Sequence, residues 1–172
     1  MTSADLNAPV SYIQRTRDYY LALGYNNPYR WAQFDDVPFT PLDVPLAEAK
    51  LALITTAAPY QPEAGDQGPG ASYNGHAKFY TVYSGSTDDI PDLRIAHVVY
   101  DRDHTSAEDP NTWFPLARLN EAVQAGRIEA LTSRFHCAPT NRSQRRTGEV
   151  DAVELLRRCE EDGADAVLLV PN

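Results

Sequence analysis

The chain has 172 residues, of which 42% are hydrophobic and 23% charged, a composition typical of a folded globular protein. The formal net charge of -9 at pH 7 argues against nucleic acid or an anionic membrane surface as a partner, because both require clustered Lys and Arg. No stretch approaches the roughly 18 apolar residues of a membrane-spanning helix, and the amino terminus lacks a signal-peptide pattern, so we expect a cytoplasmic protein.

Length and cysteine content limit the number of domains and the possible disulfide or zinc sites. We expect residues 1–172 to form a single domain, since this length suits one hydrophobic core. Cys137 and Cys159 are too few for a disulfide framework, and their spacing does not match a zinc site. We interpret the basic cluster of Arg142, Arg145 and Arg146 as part of a solvated loop.

The amino-terminal part predicts a helix followed by an extended segment. Apolar and aromatic residues recur at helical spacing over residues 10–23, and Gly24 then provides a helix stop. Residues 25–45 are rich in proline and aromatic residues, and we call them the arm. Because proline removes backbone donors, we expect an extended arm whose aromatic side chains anchor it to the main body or to a partner subunit.

Apolar runs in the middle of the chain predict three strands. Residues 50–58 are typical of a central parallel strand, residues 79–83 alternate like an edge strand, and residues 93–100 form a second buried run. Residues 59–78 are rich in glycine and proline and predict a long mobile loop. A turn is expected at residues 84–91.

The carboxyl-terminal part alternates between helix and strand patterns. Residues 116–123 predict a helix, residues 128–135 a strand, residues 150–161 an amphipathic helix and residues 163–172 a final strand. In the amphipathic helix the residues expected to be buried are Val153, Leu155, Leu156 and Cys159. This order predicts an α/β fold with a three-layer, mainly parallel sheet and crossover helices, of Rossmann or flavodoxin-like type.

The strand predicted at residues 93–100 leads into the expected active edge of the sheet. Ligand crevices in open α/β sheets lie outside the carboxyl ends of strands, so His97, Tyr100 and Asp101 are the candidate catalytic residues. His97 is either a core histidine with one satisfied hydrogen bond or a group that accepts a proton or orients substrate.

Two further groups have candidate chemistry. Asp101, Asp103 and His104 would suit a divalent metal in a hydrolase, but further ligands are not evident, and we predict no metal site. Cys137 is a candidate redox residue, because a neighbouring His136 imidazolium would lower the thiol pKa. The alternative is that Cys137 is a small buried hydrophobe.

Five segments, taken in order, resemble the glycine/sarcosine/betaine reductase selenoprotein B family, which includes the proline reductase selenoprotein subunit. They are VPFTPL at 37–42, LALITTA at 51–57, DLRIAHVVYD at 92–101, WFPLARL at 113–119 and DGADAVLLVP at 162–171. The likeness covers roughly residues 35–172, and its specificity lies in the joint order of the segments.

The resemblance implies reductive cleavage of a C–N bond in a small amine or amino acid, within a homo- or hetero-oligomer. A selenol or thiol attacks the α-carbon and displaces the amino group, while a pyruvoyl group on a partner subunit holds the amine. A second thiol then resolves the resulting selenenyl sulfide. Such chemistry needs a low-pKa nucleophile with a cysteine nearby.

The sequence departs from the family pattern at the redox motif. The family's selenocysteine or cysteine would follow the strand at residues 166–170, whereas the given sequence ends at Asn172 and Cys137 does not match that position. One explanation, which we favour, is a UGA codon for selenocysteine after Asn172, which would make the chain an oxidoreductase subunit. The alternative is a short relative without a redox centre that acts as a binding or scaffolding subunit.

Overall fold

The computed structural model describes residues 9–26, 30–64, 72–97, 100–101, 103–104, 107–140 and 143–172. Its strands are β1 (Lys50–Thr55), β2 (Ala58–Pro59), β3 (Tyr83–Ser86), β4 (Leu93–Arg94), β5 (Ala130–Leu131), β6 (Arg134–Cys137) and β7 (Ala166–Val170). Its α-helices are α1 (Tyr12–Ala22), α2 (Leu116–Gln124), α3 (Gln144–Arg146) and α4 (Ala152–Glu161). A π-helical segment, Thr147–Asp151, joins α3 to α4, and short 3-10 helices occupy Leu46–Glu48, Pro62–Ala64 and Pro110–Thr112.

Strand β1 is the centre of the main sheet. It pairs in parallel with β5 and β6 along one edge and with β7 along the other, and β3 adds to β6 in antiparallel orientation. Five of its six residues are buried, as the predicted central strand requires. The sheet is therefore mixed, with a parallel centre and one antiparallel edge.

Two crossover connections place helices on both faces of the sheet. One runs from β1 through α2 to β5, the other runs from β6 through α4 to β7, and they cross the sheet in opposite directions. Helix α2 leads from the β1 side to β5, and its apolar residues pack with Leu51 and Leu53. Helix α4 leads from β6 back across β1 to β7, and it packs with Ala52 and Ile54. This confirms the α/β class, while the strand order does not establish the Rossmann or flavodoxin-like type.

The predicted helix ends are confirmed where glycine permits a left-handed backbone. Gly24 after α1 and Gly126 after α2 have φ angles of 85° and 68°. Gly163, which was predicted to begin the final strand, instead follows α4 with a φ angle of 68°, and β7 begins at Ala166. In the described part of the chain, no helix is long and apolar enough to cross a membrane.

Two predicted strands are displaced or divided. The strand expected at residues 79–83 is wrong: β3 begins at Tyr83 and occupies part of the stretch predicted as a turn. The strand expected at residues 128–135 is divided into β5 and β6. Leu51 pairs with Leu131, and Ile54 pairs with His136. An advance of three residues along β1 therefore corresponds to an advance of five residues along the neighbouring segment, and the extra residues form a bulge.

The strand predicted at residues 93–100 is wrong in its pairing and its length. Only Leu93 and Arg94 form a strand, β4, and they pair in antiparallel orientation with β2, outside the main sheet. Ile95 continues with a single bridge to Tyr73, while residues 98–99 lie outside the described part. The apolar run reflects burial against the core, and burial does not require a place in the central ladder.

Burial also differs from expectation in two regions. In α4, Leu155 and Cys159 are buried as predicted, whereas Val153 and Leu156 are exposed because the helix covers only part of its sheet face. In the arm, the described residues form neither helix nor strand and are mostly exposed. The basic cluster is not wholly loop, because Arg145 and Arg146 lie in α3; Arg142 lies outside the described residues, as do 65–71 of the predicted 59–78 loop.

Gly85 provides a test of the β3–β6 pairing. A Cβ atom at this position would lie 2.5 Å from two ring atoms of Phe135, which is 1% exposed and stacked edge-on against Phe114. We expect Gly85→Ala to lower the free energy of unfolding by about 1–3 kcal/mol through overpacking. Gly148→Ala is the control, since a Cβ there meets no atom within 4 Å. Equal stabilities of the two variants in urea unfolding would contradict this packing.

Candidate functional site

The parallel strands β1, β6 and β7 end at one edge, where polar groups gather. Thr55 Oγ1 donates a hydrogen bond of 3.2 Å to the Trp113 carbonyl oxygen, which joins the end of β1 to the chain before α2. Thr56 Oγ1 accepts a 2.8 Å hydrogen bond from the Asn172 amide, just after β7. These contacts define the carboxyl edge of the sheet, the usual place for a ligand crevice in an α/β fold.

The β2–β4 pair leads into the stretch that contains the predicted site residues, a connection that the sequence did not indicate. Strand β2 begins three residues after β1 ends, so the β2–β4 pair stands directly beyond β1. Buried Arg94 lies over the Tyr60 ring at 4.8 Å and pairs with Asp92, which holds the start of the stretch in place. His97 and Tyr100 follow, joined by a backbone hydrogen bond.

Asp101 is the centre of a polar network that attaches α1 to the site. Its Oδ1 accepts hydrogen bonds from Arg15 Nη1 at 3.0 Å and from the Asp103 amide at 3.1 Å. Its Oδ2 accepts from Tyr12 Oη at 2.8 Å and lies 2.8 Å from His104 Nδ1. Because an ionised carboxylate only accepts, His104 Nδ1 carries the proton in this contact.

The network determines what Asp101 can do. Burial by itself raises the pKa of Asp101, but the hydrogen bonds from Tyr12, Arg15, Asp103 and His104 outweigh it and hold that pKa well below its usual range. A carboxylate has about four acceptor positions, and all are occupied here. Asp101 is therefore suited to positioning α1 and the loop, and poorly suited to accepting a proton.

The same contacts also occupy the side chains that were considered as metal ligands. The candidate ligands Asp101, Asp103 and His104 are engaged with each other, with α1, or with both. Among the residues that the structure describes, no group of three or more His, Cys, Asp or Glu side chains is arranged to hold a metal ion.

In contrast to Asp101, the His97 ring and the Tyr100 hydroxyl have no hydrogen-bond partner among the residues that the structure describes. Burial lowers the pKa of His97, so its imidazole is neutral at pH 7 and able to accept a proton. Tyr100 packs against the core on the α2 face, and its buried hydroxyl has no hydrogen-bond partner within the described ranges. The three candidates thus lie in one stretch, and the hydrogen bond among them in the described part of the chain runs from the Tyr100 amide to the His97 carbonyl oxygen.

Cys137 lies in the core at the end of β6. It is 0% exposed, and burial raises the pKa of its thiol to about 12. The expected activation by His136 fails because adjacent strand residues point to opposite faces. Cys137 packs on the α2 face, whereas His136 contacts Ser84 and Asp162 on the other. These observations favour the buried-hydrophobe interpretation, and the redox role of Cys137 remains a prediction.

Sequence reasoning missed the polar cluster around His136. His136 Nδ1 lies 2.8 Å from Ser84 Oγ, Nε2 lies 3.3 Å from Asp162 Oδ2, and Arg158 Nη1 donates to Ser84 Oγ at 2.8 Å. Arg134 adds two hydrogen bonds to Asp162 Oδ1, at 3.0 Å from Nε and 2.7 Å from Nη2. The cluster lies beneath α4 and joins that helix to β3 and β6. Its members are far apart in sequence, so no local pattern indicates it.

A protein-family model matches most of the chain. The model described as glycine/sarcosine/betaine reductase selenoprotein B matches residues 22–172, a range that includes every strand of both sheets. Neither the curated proteins nor the solved structures contain a significant match to the chain.

Thiol labelling tests the state of Cys137. With a pKa of about 12, roughly one thiol in 10⁵ is ionised at pH 7. In a Cys159→Ala variant we expect a disulfide reagent to label the folded protein at least about 100-fold more slowly than the urea-unfolded chain. Labelling of the folded protein faster than a free thiol would identify Cys137 as an activated nucleophile.

Acid titration of stability tests the Asp101 network. A lowered folded-state pKa contributes stability that is present above the unfolded pKa of about 3.9 and is lost as the pH falls through the folded pKa. We expect Asp101→Asn to cost about 2 kcal/mol between pH 5 and 7, with the difference from wild type shrinking below about pH 4. Asp103→Asn is the control, since its side chain is exposed and, among the described residues, pairs with Arg15 alone. A pH-independent difference for Asp101→Asn would contradict the assignment.

Proposed function

Since the chain belongs to the glycine/sarcosine/betaine reductase selenoprotein B family, we propose that it is a redox subunit of a reductase of this type. The match over residues 22–172 is the observation that carries the proposal, because it spans the sheet and the candidate site together. The reaction is the reductive cleavage of a C–N bond in a small amine or amino acid. A pyruvoyl group on a partner subunit would supply the carbonyl that holds the amine.

The carboxyl edge of the sheet is the proposed substrate side of the subunit. Neutral His97 would accept or return a proton, and the buried Tyr100 hydroxyl, which has no partner within the described ranges, would hydrogen-bond to a substrate that reaches it. Asp101 would act as a positioning residue through its bonds to Tyr12 and Arg15.

The nucleophile is proposed to lie on the segment that follows β7. Burial raises the pKa of both Cys137 and Cys159, so neither supplies a thiolate at neutral pH. The Asn172 amide is bonded to Thr56 at the carboxyl edge, so a selenocysteine or cysteine a few residues further would be delivered beside the proposed substrate side. This location agrees with the family pattern and needs no movement of either buried cysteine.

The second candidate function is a non-catalytic binding or scaffolding subunit. The buried state of both cysteines favours it for any form of the protein in which the redox segment does not exist. In that case the sheet would serve to hold a partner, and the arm would supply the contact.

Two measurements distinguish the redox subunit from the scaffolding subunit: the nucleotide sequence beyond codon 172 and the intact mass of the native protein. We expect an in-frame UGA codon followed by a nearby cysteine codon, and an intact mass well above the 19.1 kDa of residues 1–172. An ordinary stop codon together with a mass of 19.1 kDa would contradict the redox subunit and support the scaffolding function. A selenium signal in the mass spectrum distinguishes selenocysteine from cysteine at that position.

A further inference from the structure

A cavity of about 350 Å³ lies between helix α1 and the start of the described arm. Its lining residues are Ile13 and Arg17 from α1, and Arg30, Trp31 and Gln33 from the arm. The volume falls in the range of about 300–1,000 Å³ that is usual for small-molecule sites. All the described lining residues lie within residues 13–33, so no described residue of the carboxyl edge of the sheet contributes to the cavity.

Helix α1 serves the main body and the cavity with nearly opposite faces. Each residue of a helix turns the chain by about 100°, so Tyr12 and Arg15 share one face and Ile13 and Arg17 share another. The first face is bonded to Asp101 through the Tyr12 hydroxyl and the Arg15 guanidinium. The second face lines the cavity. The cavity is thus built on a helix whose other side is already attached to the body.

The arm side of the cavity is also tied to the main body. Gln144 Nε2, in α3, donates a hydrogen bond to the Arg30 carbonyl oxygen. This bond uses the backbone of Arg30 and leaves its guanidinium group uncommitted. Two separate attachments therefore position the two walls of the cavity, the Asp101 network for α1 and the Gln144 hydrogen bond for the arm.

The cavity is locally positive, although the chain has a net charge of -9. Among the described residues, neither Arg17 nor Arg30 has an acidic partner, and no Asp or Glu lines the cavity. Asp18, next to Arg17 in sequence, instead accepts a hydrogen bond from Gln14. The Nε–H of Arg17 is buried and has no acceptor within the described ranges. Because a buried donor without an acceptor is costly, an oxyanion beside Arg17 would be stabilised.

An apolar wall accompanies the two guanidinium groups. Trp31 contributes an indole ring, and Ile13 contributes an aliphatic side chain that is 57% exposed. Guanidinium groups bind carboxylates and phosphates through paired N–H donors, and they disfavour a cationic ligand. The ring and the aliphatic side chain favour an apolar or planar group. An organic carboxylate matches both parts of the lining, whereas inorganic phosphate matches only the charged part.

We propose that this cavity is a binding site for a small organic carboxylate. The carboxylate oxygens are held by Arg17 and Arg30, and the apolar part of the ligand lies against Trp31 and Ile13. The site is independent of the reductase assignment, because Ile13 and Arg17 precede residues 22–172, which the family model matches. A carboxylate bound in this way joins α1 to the arm.

Benzoate and its neutral analogue benzamide test the charge requirement in the whole chain. We expect benzoate to shift the indole N–H resonance of Trp31 saturably, with a dissociation constant of about 1 mM or lower, and to leave that of buried Trp113 in place. Benzamide, which has the same ring without the charge, should bind at least about tenfold more weakly. The absence of a saturable shift with benzoate, equal binding of benzamide, or binding of inorganic phosphate without benzoate would overturn the proposal.

Substitutions test the two guanidinium groups separately. Arg17→Gln and Arg30→Gln should each raise the dissociation constant of benzoate at least about tenfold with an unchanged circular dichroism spectrum. Arg17→Lys keeps the charge but loses the Nε donor, so it should weaken binding less than Arg17→Gln. Arg118→Gln is the matched control, since it removes the same charge from an exposed pair with Glu121 on α2, and it should leave binding unchanged. Undiminished binding in both glutamine variants of the cavity, or equal weakening by Arg118→Gln, would contradict the assignment.

Discussion

The structure depends on β1 being paired along both edges and covered on both faces. Its odd-numbered residues Leu51 and Leu53 belong to the α2 side and its even-numbered residues Ala52 and Ile54 to the α4 side. Every other strand of the main sheet reaches its place through this strand, directly or through β6. A polar substitution at Leu51 or Leu53 would therefore disturb the core under α2, and one at Ala52 or Ile54 the core under α4.

Alternation along the strands also determines the chemistry of the carboxyl-terminal part. His136 and Cys137 are neighbours in sequence, but one lies in a polar cluster beneath α4 and the other in the apolar core under α2. The imidazole is thus separated from the thiol by the sheet itself. The result is a buried thiol with a raised pKa and a histidine that joins Ser84 to Asp162.

The carboxyl edge of the main sheet joins segments that are distant in sequence. Thr55 donates a hydrogen bond to the Trp113 carbonyl oxygen, and Thr56 accepts one from the Asn172 amide. The end of β1, the end of β7 and the chain before α2 are therefore held together at this edge. All three segments lie within the residues matched by the family model.

The sequence by itself determined the α/β class, the helices that end at Gly24 and Gly126, the central strand and the family resemblance. The central strand was predicted over residues 50–58 and ends at Thr55. These follow from local periodicity, from backbone freedom at glycine and from ordered segments, all of which are properties of the chain as written. Tertiary structure decided the rest. Whether residues 93–100 join the main sheet depends on which strand pairs with them, and the exposure of Leu156 depends on how far α4 reaches across β7. The Asp101 network joins residues 86 and 89 positions apart, which no local pattern in the sequence can indicate.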